Sequence, residues 1–357
     1  MISQITIRKK DAGSAMRYDE METKILDASN TEHIKLCAGV IDRGGVVAFP
    51  TETVYGLGAN ALDENAVAEI FVLKGRQPDN PLIAHVASLD EAGALVKDIP
   101  FVFEILADAF WPGPLTLVVK KSDIIPDNAT AGLDTVAIRM PEHPAALALI
   151  RACGNPIAAP SANPSGKPSP TKAIHVLNDL NGKIPYILDG GDCRVGLEST
   201  VLDISGKVPR ILRPGGVTPE ELRAVISDVE AADPFEAETP RSPGMKYRHY
   251  APRAPLKAIL GPPSETAEYI TRHMENNTAA LMFDDYEFKH PHVVTYGSSA
   301  DHDTQAARLF GALRKLDNMD ITVIYAQAPD ESGLGFAIAN RIKKAAGDNV
   351  VSLVDKG

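Results

Sequence analysis

"GVVAFPTETVYGLGANA", residues 45–61, is the stretch on which the reading of this chain turns. Its first five residues are short, apolar and β-branched, the composition of a buried strand. Then come a proline, three hydroxyl-bearing residues (Thr51, Thr53, Tyr55), a carboxylate (Glu52), and glycines at 56 and 58 that read as a flexible turn. Hydroxyls and a carboxylate at the end of a core strand are placed to meet a polar ligand, because ligands of open α/β sheets sit at strand ends. Gly56, Gly58 and Ala61 match G-x-G-x-x-A, but a proline and a polar run separate them from the strand and no helix starts before Asp63. A dinucleotide fingerprint is therefore not assigned.

Outward from this stretch, the chain has 357 residues, a prior for two domains that can each bury a core. A formal charge of −11 speaks against a general nucleic-acid coat, which needs a basic surface, and leaves only a local basic pocket. Cys37, Cys153 and Cys193 are far apart and form no CxxC pair, so neither a disulfide framework nor a zinc site is indicated. The N-terminus lacks the apolar core of a signal peptide, and no later stretch suits a bilayer crossing. The expectation is a cytoplasmic protein with no membrane partner.

Short apolar runs, "GVVAF", "PLIAHV", "LTLVVK", "TVAIRM", "NPIAAP", "PYILDG", "STVLDI" and "RILRP", alternate with helical patterns or loops up to about residue 230. Asp63 caps an amphipathic helix, and Ser88–Glu91 and Thr218–Glu221 have capping-box spacing. A stretch rich in proline and charge follows, and from Leu256 strand and helix patterns resume. The expected division is an N-terminal extension (1–28), a large α/β domain (29–232), a linker (233–254) and a small α/β domain (255–357).

Three polar sets stand out in the large domain. In "KGRQPDNPLIAH", Lys74 and Arg76 end a helix, where basic residues ordinarily complement the dipole. In "APSANPSGKPSPT" (159–171), hydroxyls, an asparagine and a lysine follow a strand; such a loop holds phosphate oxygens or is simply a proline-rich turn. Arg139, Ser199 and Arg213 stand at strand ends that can converge on one crevice. Walker, HExxH and GxSxG motifs are absent, so phosphate chemistry needs another scaffold.

"FPTETVYGLG", "KGRQPDNPL", "WPGPLTLVV", "IRMPEHP", "PSANPSGKPSPT", "GLESTVLD", "LRPGG" and "SPGMKYRHYAP" occur in this order. Together they resemble the YrdC-like threonylcarbamoyl-adenylate synthases, in the long form that carries an additional C-terminal domain. The resemblance implies a twisted mixed-sheet catalytic domain followed by a smaller Rossmann-like domain. It also implies a reaction of L-threonine, bicarbonate or CO2, and ATP with Mg2+, giving threonylcarbamoyl-adenylate and pyrophosphate. The activated group then passes, through a downstream tRNA threonylcarbamoyltransferase, to the adenosine next to the anticodon, with room for a weak contact between this chain and RNA.

By the same resemblance Thr53, His85, Arg139, Ser161 and Ser199 lie on the threonine side. Arg76, Asn80, Thr135, Ala159, Ser169, Arg213 and Tyr250 lie on the ATP side, with Lys74 and Arg76 as the catalytic charges. Tyr247, His249 and Tyr250 belong to a lid, and no metal is held by protein side chains. The residue chemistry agrees with this: in-line attack on an α-phosphate needs positioning and charge neutralisation more than a covalent nucleophile. Two rivals fit less well. Carbamoyl-transfer proteins of hydrogenase maturation carry acylphosphatase and zinc-finger segments that this chain lacks, and a double-stranded RNA module fits poorly with an acidic chain.

Overall fold

The computed structural model describes residues 21–231 and 250–353. The first segment builds one sheet from β1 (Lys24–Asp27), β2 (Val47–Phe49), β3 (Gly56–Asn60), β4 (Ile83–His85), β5 (Leu115–Lys120), β6 (Thr135–Arg139), β7 (Ile157–Ala158), β8 (Tyr186–Asp189), β9 (Thr200–Asp203), β10 (Arg210–Arg213) and β11 (Glu230–Ala231). Their order is β1-β8-β2-β3-β7-β4-β6-β5-β9-β10-β11. Parallel pairs such as β4/β6 and β5/β9 sit beside antiparallel ones such as β2/β3 and β5/β6, which makes the sheet mixed as expected.

Both faces are covered. Val47 and Phe49 pack with Ile34, Cys37 and Ile41 of α1 (Thr31–Ile41), while Val46 and Ala48 belong to a core on the other face that includes Val67 and Ile70 of α2 (Glu64–Lys74). That alternation is the period of two of a strand buried on both sides. The remaining helices of this unit are α3 (Leu89–Ala94), α4 (Phe101–Phe110), α5 (Pro144–Cys153), α6 (Ala173–Leu180) and α7 (Pro219–Val225). Asp63 caps α2 by accepting from the amides of Asn65 and Ala66, and Thr218 and Glu221 form a complete capping box on α7.

Two expectations change. Gly56–Asn60 is not a turn but the strand β3, antiparallel to β2, so the opening stretch is a hairpin whose loop spans 50–55. Glycine at 58 is required by packing: a Cβ there would stand 2.7 Å from the Phe49 ring and 2.8 Å from Ile157. Lys24–Asp27, placed in the N-terminal extension by sequence, pairs in parallel with β8 and is part of the sheet.

The second segment forms a five-stranded sheet of β12 (Leu256–Leu260), β13 (Thr278–Met282), β14 (Val293–Thr295), β15 (Val323–Gln327) and β16 (Val350–Ser352), in the order β14-β13-β15-β12-β16. Every pair is parallel, which fits the Rossmann-like expectation. Its helices are α8 (Pro263–His273), α9 (His302–Asp317) and α10 (Leu334–Ala346).

The two units share a seam. Val54, Leu197 and Tyr250 pack into the apolar core of the small domain, where Tyr250 stacks on Phe310 at 5.3 Å. Gly196, at φ +74°, lies so close to α9 that a Cβ would come within 2.4 Å of the Ala307 Cα. Arg314 of α9 donates to the Pro168 carbonyl and to Asp179, each at 2.6 Å.

Candidate active site

A partly open cleft lies where β3, β4, β6, β9 and β10 meet the 159–169 loop. Among the described residues, five basic side chains (Lys74, Arg76, Arg139, Lys167 and Arg213) line it against one carboxylate, Glu198, in a chain whose net charge is −11. Such a local inversion of sign concentrates anions.

At one end the residues form a closed polar circuit. Arg139, at the last position of β6, donates to Glu52 Oε1 at 2.6 Å, to Thr53 Oγ1 at 2.9 Å and to the Gly113 carbonyl at 3.2 Å. Thr53 in turn meets the Thr51 hydroxyl at 2.8 Å, and the second oxygen of Glu52 accepts from the Glu142 amide. Arg139 and Glu52 are each only 4% exposed, so their charges answer each other in a dry setting. His85, paired in register with Arg139 on β4, is held neutral: burial and then the Arg139 charge lower its pKa to about 3.

At the other end, Arg76 follows the left-handed C-cap Gly75 of α2 and donates to the carbonyls of Asn80 and Pro81. Arg213, the last residue of β10, bonds the Ser199 carbonyl at 2.8 Å and its hydroxyl at 3.1 Å. Ser199, expected on the threonine side, is thus bound to Arg213, and it also meets the Thr116 hydroxyl at 2.7 Å. Burial lowers the pKa of both arginines to about 10, which leaves them charged at neutral pH. Lys74, expected as a catalytic charge beside Arg76, is turned to the neighbouring loop. Its ammonium donates to the Ser161 carbonyl and, at 2.5 Å, to the Asn163 carbonyl, so it holds the loop, while burial and then Arg76 push its pKa well down.

Thr53, Lys74, Arg76, His85, Arg139, Ala159, Ser161, Ser169, Ser199, Arg213 and Tyr250 thus meet in one cleft. Asn80 and Thr135 are buried but do not line it: Asn80 offers its carbonyl to Arg76 and leaves its own Oδ1 without a partner, and Thr135 begins β6, at the other end of that strand from Arg139. Tyr247 and His249 lie outside the described residues. The structure adds Asn163, Lys167 and Glu198 to the lining and ties Glu52, the carboxylate of the opening stretch, to Arg139. All four stand in motifs the sequence displays, and the carboxylate beside a hydroxyl in "GLEST" is a signal that could have marked Glu198. Among the described residues no group of three or more His, Cys, Asp or Glu side chains could hold a metal ion.

Residues 39–215 match the family model described as Telomere recombination, covering Sua5, YciO and YrdC proteins. Residues 217–347 match the model described as Threonylcarbamoyl-AMP synthase, C-terminal domain. The chain is 48% identical over 327 residues to the threonylcarbamoyl-AMP synthase of Pyrococcus abyssi, covering 90% of this chain and 96% of that protein. It is 46% identical over 331 residues to the Bacillus subtilis protein of the same name, covering 91% and 96%. The crystal structure of P. abyssi Sua5 complexed with L-threonine superposes with a TM-score of 0.86 at 44% identity, over 94% of this chain and 100% of that one. With both models matched and these relatives spanned almost end to end, the chain belongs to the threonylcarbamoyl-AMP synthase family in its two-domain form.

Proposed function

We propose that this protein is an L-threonylcarbamoyl-adenylate synthase, the nucleotidyltransferase that activates threonine for the threonylcarbamoyladenosine modification of tRNA. The observation that carries the reading is the union, in one cleft, of a charge-paired arginine at one end and an excess of basic over acidic side chains at the other. Among the described residues Arg139 makes three hydrogen bonds, leaving two of a guanidinium's five N–H groups to fork onto a substrate carboxylate. Neutral His85 adds no charge where an amine has to become a carbamate.

In this mechanism the threonine amine adds to CO2, supplied by bicarbonate, and releases a proton. A carbamate oxygen then forms a bond to the α-phosphorus while the bond to the bridging oxygen of pyrophosphate breaks. Arg76 and Arg213 stabilise the charge that grows on the phosphoryl and pyrophosphate oxygens, which is where preorganised donors act most strongly. Magnesium enters as part of the nucleotide substrate. The only carboxylate among the described lining residues, Glu198, is engaged by Arg341 and Ser169, and no step is routed through a protein-held ion. Hand-over to a downstream tRNA threonylcarbamoyltransferase completes the proposal, with only weak RNA contact by an acidic chain. No described helix is long and apolar enough to cross a membrane.

The test is product analysis by mass spectrometry after incubation with ATP, threonine and bicarbonate. Threonylcarbamoyl-adenylate and pyrophosphate are expected only when all three are present. Equal pyrophosphate release with threonine or bicarbonate omitted would overturn the reading, because water would then be the acceptor.

A further inference from the structure

Arg341 sits in the middle of α10, in the small domain, and is fully buried. A guanidinium shut away from water needs partners, and it finds them across the seam. Its Nε donates to Glu198 Oε2 at 2.8 Å, its Nη2 donates to the Pro214 carbonyl at 2.8 Å, and its carbon lies 5.2 Å from the centre of the Tyr250 ring. All three contacts are attached to the nucleotide end of the cleft. Glu198 and Tyr250 line it, and Pro214 follows Arg213 directly.

Glu198 has a second task. Its other oxygen accepts from the Ser169 hydroxyl at 2.6 Å, and its neighbour Ser199 supplies the carbonyl and hydroxyl that hold Arg213. Burial alone would raise the Glu198 pKa, but the charges of Arg341 and Arg213 and the bond from Ser169 hold it below the usual value. The backbone of 198–200 lies directly on that of 215: the Gly216 amide donates to the Glu198 carbonyl, and a Cβ on Gly215 would collide with that carbonyl. One side chain from the small domain therefore pins both segments that carry the anion-binding groups.

We propose that Arg341 is a positioning residue for the nucleotide subsite, acting through Glu198 and the Pro214 carbonyl to fix Ser169 and Arg213, so that the small domain completes the active site. This rests on the synthase reading above. It assigns Arg341 no contact with substrate. Its loss should loosen the nucleotide end while the circuit around Arg139, which makes no contact with Arg341, stays as it is.

The experiment uses the full chain and measures pyrophosphate release with ATP and with threonine as the varied substrate, for wild type, Arg341→Met and Arg341→Lys, alongside melting temperatures. Wild-type turnover that depends on threonine and bicarbonate checks the synthase reading separately. Arg341→Met is expected to raise the KM for ATP about tenfold or more, with the KM for threonine within about twofold of wild type. Arg341→Lys keeps a buried cation for Glu198 but cannot reach Pro214 with the same fork, and should give a smaller rise, again confined to ATP. If Arg341→Met fails to fold, Arg341→Lys alone decides. An unchanged ATP KM in a folded variant, or equal changes for both substrates, would overturn the positioning role and leave Arg341 as a structural pin.

Discussion

The two ends of the cleft solve opposite electrostatic problems. Around Arg139, every strong charge is answered inside the protein by Glu52, the hydroxyls of Thr51 and Thr53 complete the circuit, and the nearby imidazole is neutral. Around Arg76 and Arg213 the described wall carries cations in excess, and its one carboxylate is shared with a residue of another domain. The difference matches the charges of the two substrates. An amino acid is nearly neutral overall and is recognised by shape and hydrogen bonds, so its site can be self-contained. A nucleotide triphosphate brings several negative charges, so its site has to be left electrostatically incomplete and held in place from outside.

That contrast can be broken by experiment. The largest effect is expected at Glu52→Ala, which leaves Arg139 buried without its counter-charge; such a loss costs about 3–5 kcal/mol. Urea unfolding should show it, and saturating threonine should restore more stability to this variant than to wild type, because the substrate carboxylate takes the vacant role. A variant as stable as wild type would show that the circuit is not tight. Next comes Arg213→Ala, which should lower turnover on the order of a hundredfold, the scale for removing one donor aimed at transition-state charge. Its KM for threonine should stay close to wild type. A matching loss of threonine affinity would mean that the two ends are not separate.

A smaller effect is expected at Gly58→Ala. The added methyl would press on Phe49 and Ile157 behind the cleft, and overpacking of this kind costs about 1–3 kcal/mol. A melting temperature equal to that of wild type would show that the two side chains can move aside. The last effect is spread over several pH units and concerns His85. Its folded pKa of about 3 lies below the 6.5 of an unperturbed imidazole, so between those values the unfolded chain takes up a proton that the folded protein refuses. Stability from this residue is therefore full above pH 6.5 and declines as pH falls toward 3, by up to about 1.4 kcal/mol per pH unit. In His85→Gln that share of the slope should vanish, and identical pH curves for the two proteins would place the imidazole in water.

The contrast also explains what the sequence could convey. The eight apolar runs of the large domain all contain strands, because a strand buried on both faces writes itself as consecutive hydrophobic residues. Gly56–Asn60 escaped that pattern, since the packing of Phe49 and Ile157 demands glycine where a strand ordinarily shows a side chain. The amino-acid end is built largely from residues close together in two quoted motifs, and Thr53 and Arg139 could be named from those. Arg341 could not: in sequence it is one basic residue in an amphipathic helix with lysines at 343 and 344, and only the docking of α10 separates it from them. Asn80 and Thr135 are buried positions that match a family pattern but are not among the residues lining the cleft.

At Gly196 the thickness of the joint between the two halves of the molecule is a single hydrogen atom, since main chain rests there on the main chain of α9. Side chains in a joint behave like springs, because rotamers can shift to absorb a push. Here there is no spring. A displacement of α9 has to arrive undamped at residue 196, and the next residues along the chain are Leu197, Glu198 and Ser199. At this one point the small domain bears on the large one backbone to backbone, two residues before the pair that holds Ser169 and Arg213.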